Sequence, residues 1–320
     1  MIVKAASCIP SPITAETGFV GIRIPSHPLS RLLLEKCDLP LAAPSANRFG
    51  HVSPTKSAHV MEDFGSHAAV DREVLILDGE TWDKHESEAN TCDVGIESTV
   101  IKILSDVKRI RILRQGAVGK EQLEKVLAEG GFLYEVEVVV RAVKMHPSSS
   151  GACAENEELD KAGEQAPGQA ITHYAPDIPC VIASSITFAD NPSSLVEGQV
   201  LELNESKLRE VVIIDIGGVL SECSSKCLAY RDLSASGDAS EAARGLFDAL
   251  RWAEAVSGAT LVVLPLIQSD FTSRLLQGMG GNDINISESP RHASDMIPGL
   301  VDRMFRAASG KFMHINVRNV

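Results

Sequence analysis

The amino-acid sequence predicts an α/β fold in two domains joined by a long linker. Apolar runs of strand length alternate with amphipathic runs of helix length, which is the pattern of α/β proteins. A chain of 320 residues with 44% hydrophobic residues is long enough for two domains. Between His146 and Gly168 the hydrophobicity collapses into a Ser-rich, acidic stretch that predicts a linker. We therefore place the domains at 1–144 and 180–320, with the linker at 145–179.

The first domain is predicted to contain three strands and two helices. Each helix repeats its apolar side chains every three or four residues, so that one face can pack on a sheet. In the second helix Leu123, Val126 and Leu127 should face inward, and Gly130 and Gly131 should end it. The predicted strands are Val20–Pro25, Val74–Asp78 and Thr99–Leu104, and the predicted helices are Pro28–Cys37 and Lys120–Glu129.

The second domain is predicted to have a parallel sheet. Its apolar strands are separated by helix-length segments, and this alternation is typical of βαβ units. The predicted strands are Val181–Ser184, Val211–Gly217 and Thr260–Leu264, and the predicted helices are Asp238–Val256 and Ala293–Ser309.

Composition and charge argue against several classes of protein. The net charge of −13 argues against a broad basic surface for gripping nucleic acid. Seven scattered cysteines indicate a reducing compartment, and Cys223 and Cys227 predict a surface loop rather than a zinc site. The apolar runs are too short to span a membrane, and the N-terminal residues lack a signal-peptide pattern. We therefore expect a cytoplasmic protein without membrane contact.

A rigid polar loop is the most unusual local pattern. Between Pro40 and Gly50, two prolines and a glycine bracket small hydroxyl and amide side chains. Ser45 and Asn47 should point to one side of an extended segment, where they could bind a ligand. An ordinary capped turn before a helix starting near Pro54 explains the pattern equally well.

Three further motifs combine polar groups with turns. Gly95–Val100 delivers an acidic residue and two hydroxyls to a strand end, where ligands often bind, although such hydroxyls more often bond their own backbone. Arg114 closes an apolar run and could hold a phosphate, but an exposed arginine at a strand end is commoner. His173–Pro176 is an aromatic segment within the linker, which indicates docking or a simple hydrophobic anchor.

The order of these motifs resembles that of the threonylcarbamoyl-AMP synthase family in its long form. The resemblance implies a partial YrdC-like domain with a twisted α/β sheet, followed by a smaller Rossmann-like α/β domain. The motifs that carry it in the first domain and linker are Val20–Pro28, Ala43–Asn47, Ser53–Thr55, Gly95–Val100, Leu113–Gly116 and His173–Pro176. It continues in the second domain through Val211–Gly218, Tyr230–Ser234, Gly245–Leu250 and Asp302–Ala308.

The resemblance also implies a nucleotidyltransferase reaction. L-threonine, bicarbonate and ATP would give threonylcarbamoyl-AMP and pyrophosphate for the tRNA threonylcarbamoyladenosine modification, with Mg²⁺ on the phosphates and transient contact with tRNA or a tRNA-modification complex. Such chemistry depends on positioning and charge neutralisation, so no covalent catalytic residue and no protein metal ligand are expected. By resemblance Arg23, Ser45 and Ser98 bind threonine, and Asn47, Thr55, Arg114 and Tyr174 bind ATP.

The sequence departs from the family pattern near its start. The family carries a threonine-binding Thr and a Lys-x-Arg nucleotide clamp upstream of the motif that contains Arg23, and these do not precede Arg23 in this sequence. Phe19 stands where the family commonly has a small hydroxyl residue. We therefore hypothesise an N-terminally truncated chain that is inactive alone.

Two alternatives are weighed against the synthase. The first is an inactive fragment whose C-terminal domain acts as a binding or regulatory module. The second is a carbamoyl-transfer enzyme of the hydrogenase-maturation type. The sequence disfavours the second, because the zinc-finger and acylphosphatase motifs of those enzymes are missing from it.

Overall fold

A computed structural model of the protein describes residues 1–65, 75–79, 94–139, 173–188, 199–267 and 297–318. These residues form two β-sheets with helices, so the predicted α/β fold is confirmed. One sheet belongs to the N-terminal half (residues 1–139) and the other to the C-terminal half (residues 180–318). Most of the predicted linker lies outside the described residues. No described helix is long and apolar enough to cross a membrane.

The sheet of the N-terminal half is mixed. It contains β1 (Ile2–Lys4), β2 (Phe19–Gly21), β3 (Val100–Leu104), β4 (Arg109–Arg114) and β5 (Glu135–Val138). Their order is β2-β1-β3-β4-β5, in which β1 is antiparallel to β2 and parallel to β3. The pair β3 and β4 is antiparallel, and β4 and β5 are parallel. The strands β3 and β4 therefore place two of the predicted motifs, Gly95–Val100 and Leu113–Gly116, side by side.

Helices of the N-terminal half are α1 (Pro28–Cys37), α2 (Ser57–Phe64) and α3 (Lys120–Glu129). The bounds predicted for α1 and α3 are confirmed, and Gly130 follows the end of α3 as expected. Proline suits the first position of α1, and the ring of His27 accepts a hydrogen bond from the amide of Leu29. The inward position predicted for Val126 is wrong, since its side chain is 65% exposed while Leu123 and Leu127 pack on the sheet.

Two strand predictions in this half need correction. Residues 75–78 form no strand, and the predicted strand Val20–Pro25 is shortened to β2, which ends at Gly21. The partner of β2 is β1, and their pairing ends with the bond between the Ile22 amide and the Met1 carbonyl. Apolar side chains alone did not extend β2, because a strand needs a paired neighbour.

The sheet of the C-terminal half is parallel, as predicted. Its strands are β6 (Cys180–Phe188), β7 (Val200–Asn204), β8 (Val211–Asp215), β9 (Ala229–Asp232), β10 (Leu261–Pro265) and β11 (Phe312–Arg318). They lie in the order β7-β11-β6-β10-β8-β9, and all neighbouring pairs are parallel. The α-helices described in this half are α4 (Glu205–Leu208), α5 (Ala239–Ala255) and α6 (Ile297–Ala307).

Helix α5 packs on this sheet and also contacts the N-terminal half. Asp238 caps it by accepting a hydrogen bond from the amide of Glu241 at 2.8 Å. Leu246, Phe247 and Leu250 recur at spacings of three and four residues and are fully buried in the larger core. The same core contains residues of the N-terminal half and of the linker, so the two halves share it.

The turn after β8 is closed by a carboxylate of the chain itself. Gly217 and Gly218 adopt left-handed backbone angles, with φ of 69° and 70°. Their amides donate to the two oxygens of Asp232 at 3.2 and 2.9 Å, and the Ser234 amide adds a third bond at 3.0 Å. Consecutive amides of this kind at a strand end form an anion-binding nest. Asp232 therefore holds the place that an anionic ligand takes in many Rossmann folds.

The prediction of a surface loop at Cys223 and Cys227 is wrong. Both side chains are buried in a core cluster on the other face of the parallel sheet. Burial raises the pKa of both thiols, which keeps them protonated at neutral pH. A small apolar thiol fits such a core, and we assign both cysteines to packing.

Candidate functional site

Glu97 is the point at which three segments of the chain meet. Its Oε1 accepts a hydrogen bond from the Ser53 hydroxyl at 2.6 Å, and its Oε2 accepts one from Arg303 Nε at 2.7 Å. Ser53 belongs to the predicted Ser53–Thr55 motif, whereas Arg303 lies on α6 in the C-terminal half. The carboxylate of Glu97 thus ties two predicted motifs to a helix of the other half.

Arg114 and Ser98 are brought together at the ends of β4 and β3. Arg114 donates from Nη2 and Nε to the Ser98 carbonyl at 2.9 and 3.2 Å. Gly116 permits this approach, because a Cβ there would lie 2.3 Å from the Thr99 nitrogen. Burial is the main cause that lowers the pKa of Arg114, but a guanidinium remains protonated at neutral pH. The result is a partly buried positive charge beside the Ser98 backbone.

Tyr174 packs deeply between the two halves. Its side chain is 1% exposed, and its ring lies 5.3 Å from the Phe247 ring on α5. The Arg303 guanidinium sits 5.2 Å from the same ring, a cation–π arrangement. The Ala175 amide bonds the Gly50 carbonyl at 3.2 Å, which docks the segment on the predicted polar loop. The linker segment is therefore part of the same cluster as Glu97 and Arg303.

Asn47 and Thr55 lie on the same loop but make local contacts. Asn47 Nδ2 donates to the carbonyls of Arg48 and His51 at 2.8 and 3.0 Å. The Thr55 amide donates to His59 Nδ1 at 3.2 Å, across the start of α2. These bonds fix the loop, with the side chain of Thr55 also 3.4 Å from the His59 ring.

Two expectations about this loop are wrong. The segment that carries Ser45 and Asn47 is not extended, because Ala46 between them adopts φ of 55°. The following helix begins at Ser57 rather than near Pro54. A left-handed residue changes the directions of the side chains on either side of it, so the alternation of side chains along an extended strand does not apply here.

Arg23 and Ser45 are not drawn into the cluster. Both side chains are exposed, and within the described ranges neither forms a hydrogen bond or ion pair. The structure thus brings together Ser98, Arg114 and Tyr174, and leaves the two other predicted threonine contacts at the surface of the N-terminal half.

One group of side chains in this region could coordinate a metal ion. His51, Asp177 and Glu254 each place one potential ligand atom within 4.8 Å of the others. His51 already bonds Glu254 at 3.0 Å, and Arg48 bonds Asp177 at 2.7 Å. We interpret these contacts as the ionic attachment of the polar loop to α5 and to the Tyr174 segment, and assign no metal to them.

Comparison with known proteins identifies the family. Residues 118–309 match the family described as "Threonylcarbamoyl-AMP synthase, C-terminal domain", and residues 1–116 match the one described as "Telomere recombination". The first of these matches covers more than half of the chain. The chain belongs to the threonylcarbamoyl-AMP synthase family. The resemblance found in the sequence motifs is confirmed.

Individual synthases are similar to this chain in sequence, which supports the assignment. The threonylcarbamoyl-AMP synthase of Pyrococcus abyssi is 29% identical over 251 residues, which are 78% of this chain and 60% of that protein. The Bacillus subtilis synthase is 34% identical over 170 residues, 53% of this chain and 38% of its own length. The chain thus spans less than two thirds of the length of these synthases.

A solved structure of the family has the same fold. The P. abyssi protein complexed with L-threonine superposes with a TM-score of 0.59 and 22% identity over 98% of this chain and 71% of its own. A structure of the same protein with a His-Tyr pair replaced by alanines gives 0.58 and 19% identity over 98% of this chain and 70% of that one. At these identities the likeness concerns the fold.

The family motifs did not reveal the role of Arg303. The residue stood inside the Asp302–Ala308 motif, but nothing in the sequence paired it with Glu97, 206 positions away. A signal does exist, because a charged pair of Asp302 and Arg303 sits among apolar residues of an amphipathic helix. Buried charges require partners, so such a pair predicts an ionic contact without saying with what.

The ionisation of Glu97 should make the fold sensitive to acid. Burial by itself raises the pKa of Glu97, but the Arg303 charge and the Ser53 bond outweigh it and hold the pKa below its ordinary value of 4.5. The ionised group therefore stabilises the fold above that value, and the contribution is lost as the pH falls through the lowered pKa. We expect the unfolding temperature of the native protein to fall more steeply than that of Glu97→Gln between roughly pH 5 and 3.

A matched control is Glu135→Gln, which removes an exposed carboxylate paired with Arg109. Its unfolding curve should follow the native protein across the whole range, because exposed ion pairs contribute little. Parallel curves for the native protein and Glu97→Gln would contradict the assignment.

Proposed function

We propose that this chain carries the site of an L-threonylcarbamoyladenylate synthase. In the proposed reaction the carbamate of L-threonine, formed with bicarbonate, attacks the α-phosphorus of ATP. Threonylcarbamoyl-AMP forms, pyrophosphate leaves, and the product serves the threonylcarbamoyladenosine modification of tRNA. The observation that carries the proposal is the convergence of separate family motifs on Glu97, with Ser98, Arg114 and Tyr174 around it.

The nucleotide side of the site rests on Arg114. Its partly buried guanidinium offers a charge for phosphate oxygens, where the displaced pyrophosphate must be stabilised. Tyr174 interacts with the same guanidinium, and we propose that it covers the nucleotide and excludes water. A solved structure of the P. abyssi synthase carries alanines in place of a His-Tyr pair. His173 and Tyr174 form the one His-Tyr pair in this sequence, and this supports a role for the pair in the site. Asn47 and Thr55 complete the proposed ATP contacts from the adjoining loop.

The threonine side of the site rests on three residues. We propose that Arg23 pairs with the threonine carboxylate through its guanidinium fork, and that Ser45 and Ser98 accept or donate hydrogen bonds to the amino acid. The P. abyssi synthase complexed with L-threonine supports an amino-acid ligand in this fold. Arg23 and Ser45 are both exposed in the structure, so their side chains are accessible to a ligand.

Magnesium was expected with ATP, but the carboxylate of Glu97 beside Arg114 does not fit a protein-bound Mg²⁺. The ion prefers one or two carboxylates besides phosphate oxygens. Glu97 interacts with Arg114, and its two oxygens already accept bonds from Ser53 and Arg303. No step of the proposed reaction is therefore routed through a metal held by the protein.

Contact with tRNA and a cytoplasmic location belong to the same proposal. The net charge of −13 restricts any tRNA contact to a local patch. The described cysteines are free, in keeping with a reducing compartment.

Threonine-dependent release of pyrophosphate by the purified chain tests the proposal. We expect Arg114→Gln to weaken ATP binding at least about tenfold, because a charge-assisted phosphate contact is lost. Arg111→Gln is the matched control: it lies on the same strand but pairs with Glu137, and should leave ATP binding unchanged. Calorimetry with ATP and with L-threonine gives both affinities.

Two results would contradict the proposal. A folded chain that binds neither threonine nor ATP would overturn the synthase proposal and favour a binding or regulatory module. Equal losses in the Arg114 and Arg111 variants would overturn the role of Arg114 alone.

A further inference from the structure

Arg303 connects the C-terminal half to two loops of the N-terminal half. The side chain is completely buried on α6. Its Nε donates to Glu97 Oε2 at 2.7 Å, and its Nη2 donates to the Gln115 carbonyl at 2.9 Å. The remaining nitrogen, Nη1, donates to Asp302 Oδ2 at 2.6 Å. One guanidinium thus contacts the loop before β3, the loop after β4 and its own helix.

These two loops contain residues with proposed substrate contacts. Glu97 immediately precedes Ser98, and Gln115 immediately follows Arg114. Arg114 in turn bonds the Ser98 carbonyl, so the relative position of the two loops fixes the distance between the threonine and nucleotide contacts. Arg303 touches the backbone or side chain next to both of them.

The close fit of α6 against the same loops is a second observation. A Cβ at Gly299 would lie 2.8 Å from Ile96 Cδ1 and 2.9 Å from the Gly116 carbonyl oxygen. Gly299 is one helical turn before Arg303, so the helix backbone approaches the loops where the guanidinium reaches them. The contact therefore extends over about one turn of α6.

Only an arginine has the shape for these contacts. Its planar fork presents donors in several fixed directions, whereas a lysine ammonium is a compact charge on a flexible stem. A buried cation must also be compensated, and Glu97 and Asp302 supply two carboxylates around it. The Tyr174 ring closes another side of the guanidinium.

We propose that Arg303 is a positioning residue of the site. It fixes the positions of the loops that carry Ser98 and Arg114 relative to each other and to Tyr174. This inference rests on the proposed synthase function, since it assigns a role to those residues. It gives the C-terminal half a part in assembling the site, although none of its residues is proposed to touch substrate.

The test compares Arg303→Met with a matched control, Arg251→Met, in the full chain. Arg251 is another buried arginine that crosses between the halves, but it contacts Asp63 and the Val52 carbonyl. Hydrogen exchange of segments 95–100 and 113–117 measures the loops without any substrate. Calorimetry measures L-threonine binding.

We expect Arg303→Met to accelerate exchange in both segments by at least roughly tenfold and to weaken threonine binding by a similar factor, because both loops lose the guanidinium that bonds them. Arg251→Met lowers the global stability but leaves both loops bonded to Arg303, so both quantities should stay close to those of the native protein under conditions where these segments exchange by local opening. Arg303→Lys should protect the first segment through Glu97 but not the second, because one ammonium cannot bond both loops.

Each other outcome has a distinct meaning. Unchanged exchange in Arg303→Met, or equal acceleration in Arg251→Met, would overturn the positioning role and leave an ordinary interface contact. If the native chain binds no threonine, the proposed function fails, while the exchange comparison still decides whether Arg303 sets the loops.

Discussion

Replacing Gly95 by alanine is expected to destabilise the protein by more than about 3 kcal/mol, because two penalties coincide at this position. Gly95 adopts φ of 74°, a left-handed angle that disfavours a side chain. Its added Cβ would lie 2.2 Å from Arg244 Cα and 2.3 Å from the Ala243 carbonyl oxygen on α5. Backbone atoms of a buried helix cannot move aside cheaply. The loop before β3 should therefore separate from α5, and urea unfolding measures the loss.

Gly237→Ala is the matched control for this variant. Gly237 has φ of 72°, almost the same strain, but a Cβ there meets no atom within 4 Å. It should cost only about 1–2 kcal/mol, and the difference between the two variants isolates the overlap with α5. Similar losses for both glycines would show that the loop does not pack against the helix as described.

Arg251→Met is expected to lower the free energy of unfolding by about 3 kcal/mol or more, because a buried carboxylate loses its charged partner. Arg251 Nη2 donates to Asp63 Oδ2 at 2.7 Å, and both side chains are nearly inaccessible. Burial raises the pKa of Asp63, but Arg251 and then His51 outweigh this and lower it, so Asp63 is ionised at neutral pH. Without Arg251, the carboxylate keeps two partners among the described residues, His51 and the half-exposed Arg48.

A double variant separates the charge from the packing. Asp63→Asn combined with Arg251→Met removes the uncompensated charge and should be more stable than Arg251→Met alone, as judged by urea unfolding. If the two substitutions simply add, the ion pair does not stabilise the contact between α2 and α5. Arg111→Gln, at an exposed pair with Glu137, should lie within about 0.5 kcal/mol of the native protein.

The sequence predicted those elements whose determinants are local. The bounds of α1 and α3 follow from apolar spacing and from Pro28 and Gly130, which act within one turn of the helix. The parallel sheet of the C-terminal half followed from alternation of strand and helix. The strand expected near residues 75–78 failed because pairing depends on a distant partner, which apolar side chains do not specify.

The candidate site was also predicted from the sequence in part. Motifs singled out Ser98, Arg114 and Tyr174, and the structure brings these three together. Motifs could not give the partner of Glu97, since Arg303 reaches it from the other half of the chain. The sequence also gave no sign that Ala46 would turn the polar loop, because left-handed backbone at alanine is uncommon and depends on its surroundings.

The carboxylate of Asp232 in the turn after β8 has a consequence for how the C-terminal half uses its fold. A nest of amides that waits for a nucleotide becomes ordered only when the nucleotide arrives, and its stability then varies with concentration. Here the counter-ion is covalently tethered and always present, with Gly217 and Gly218 already bonded to it. The turn after β8 is therefore closed by the chain's own carboxylate, at the end of a strand of the sheet on which α5 packs.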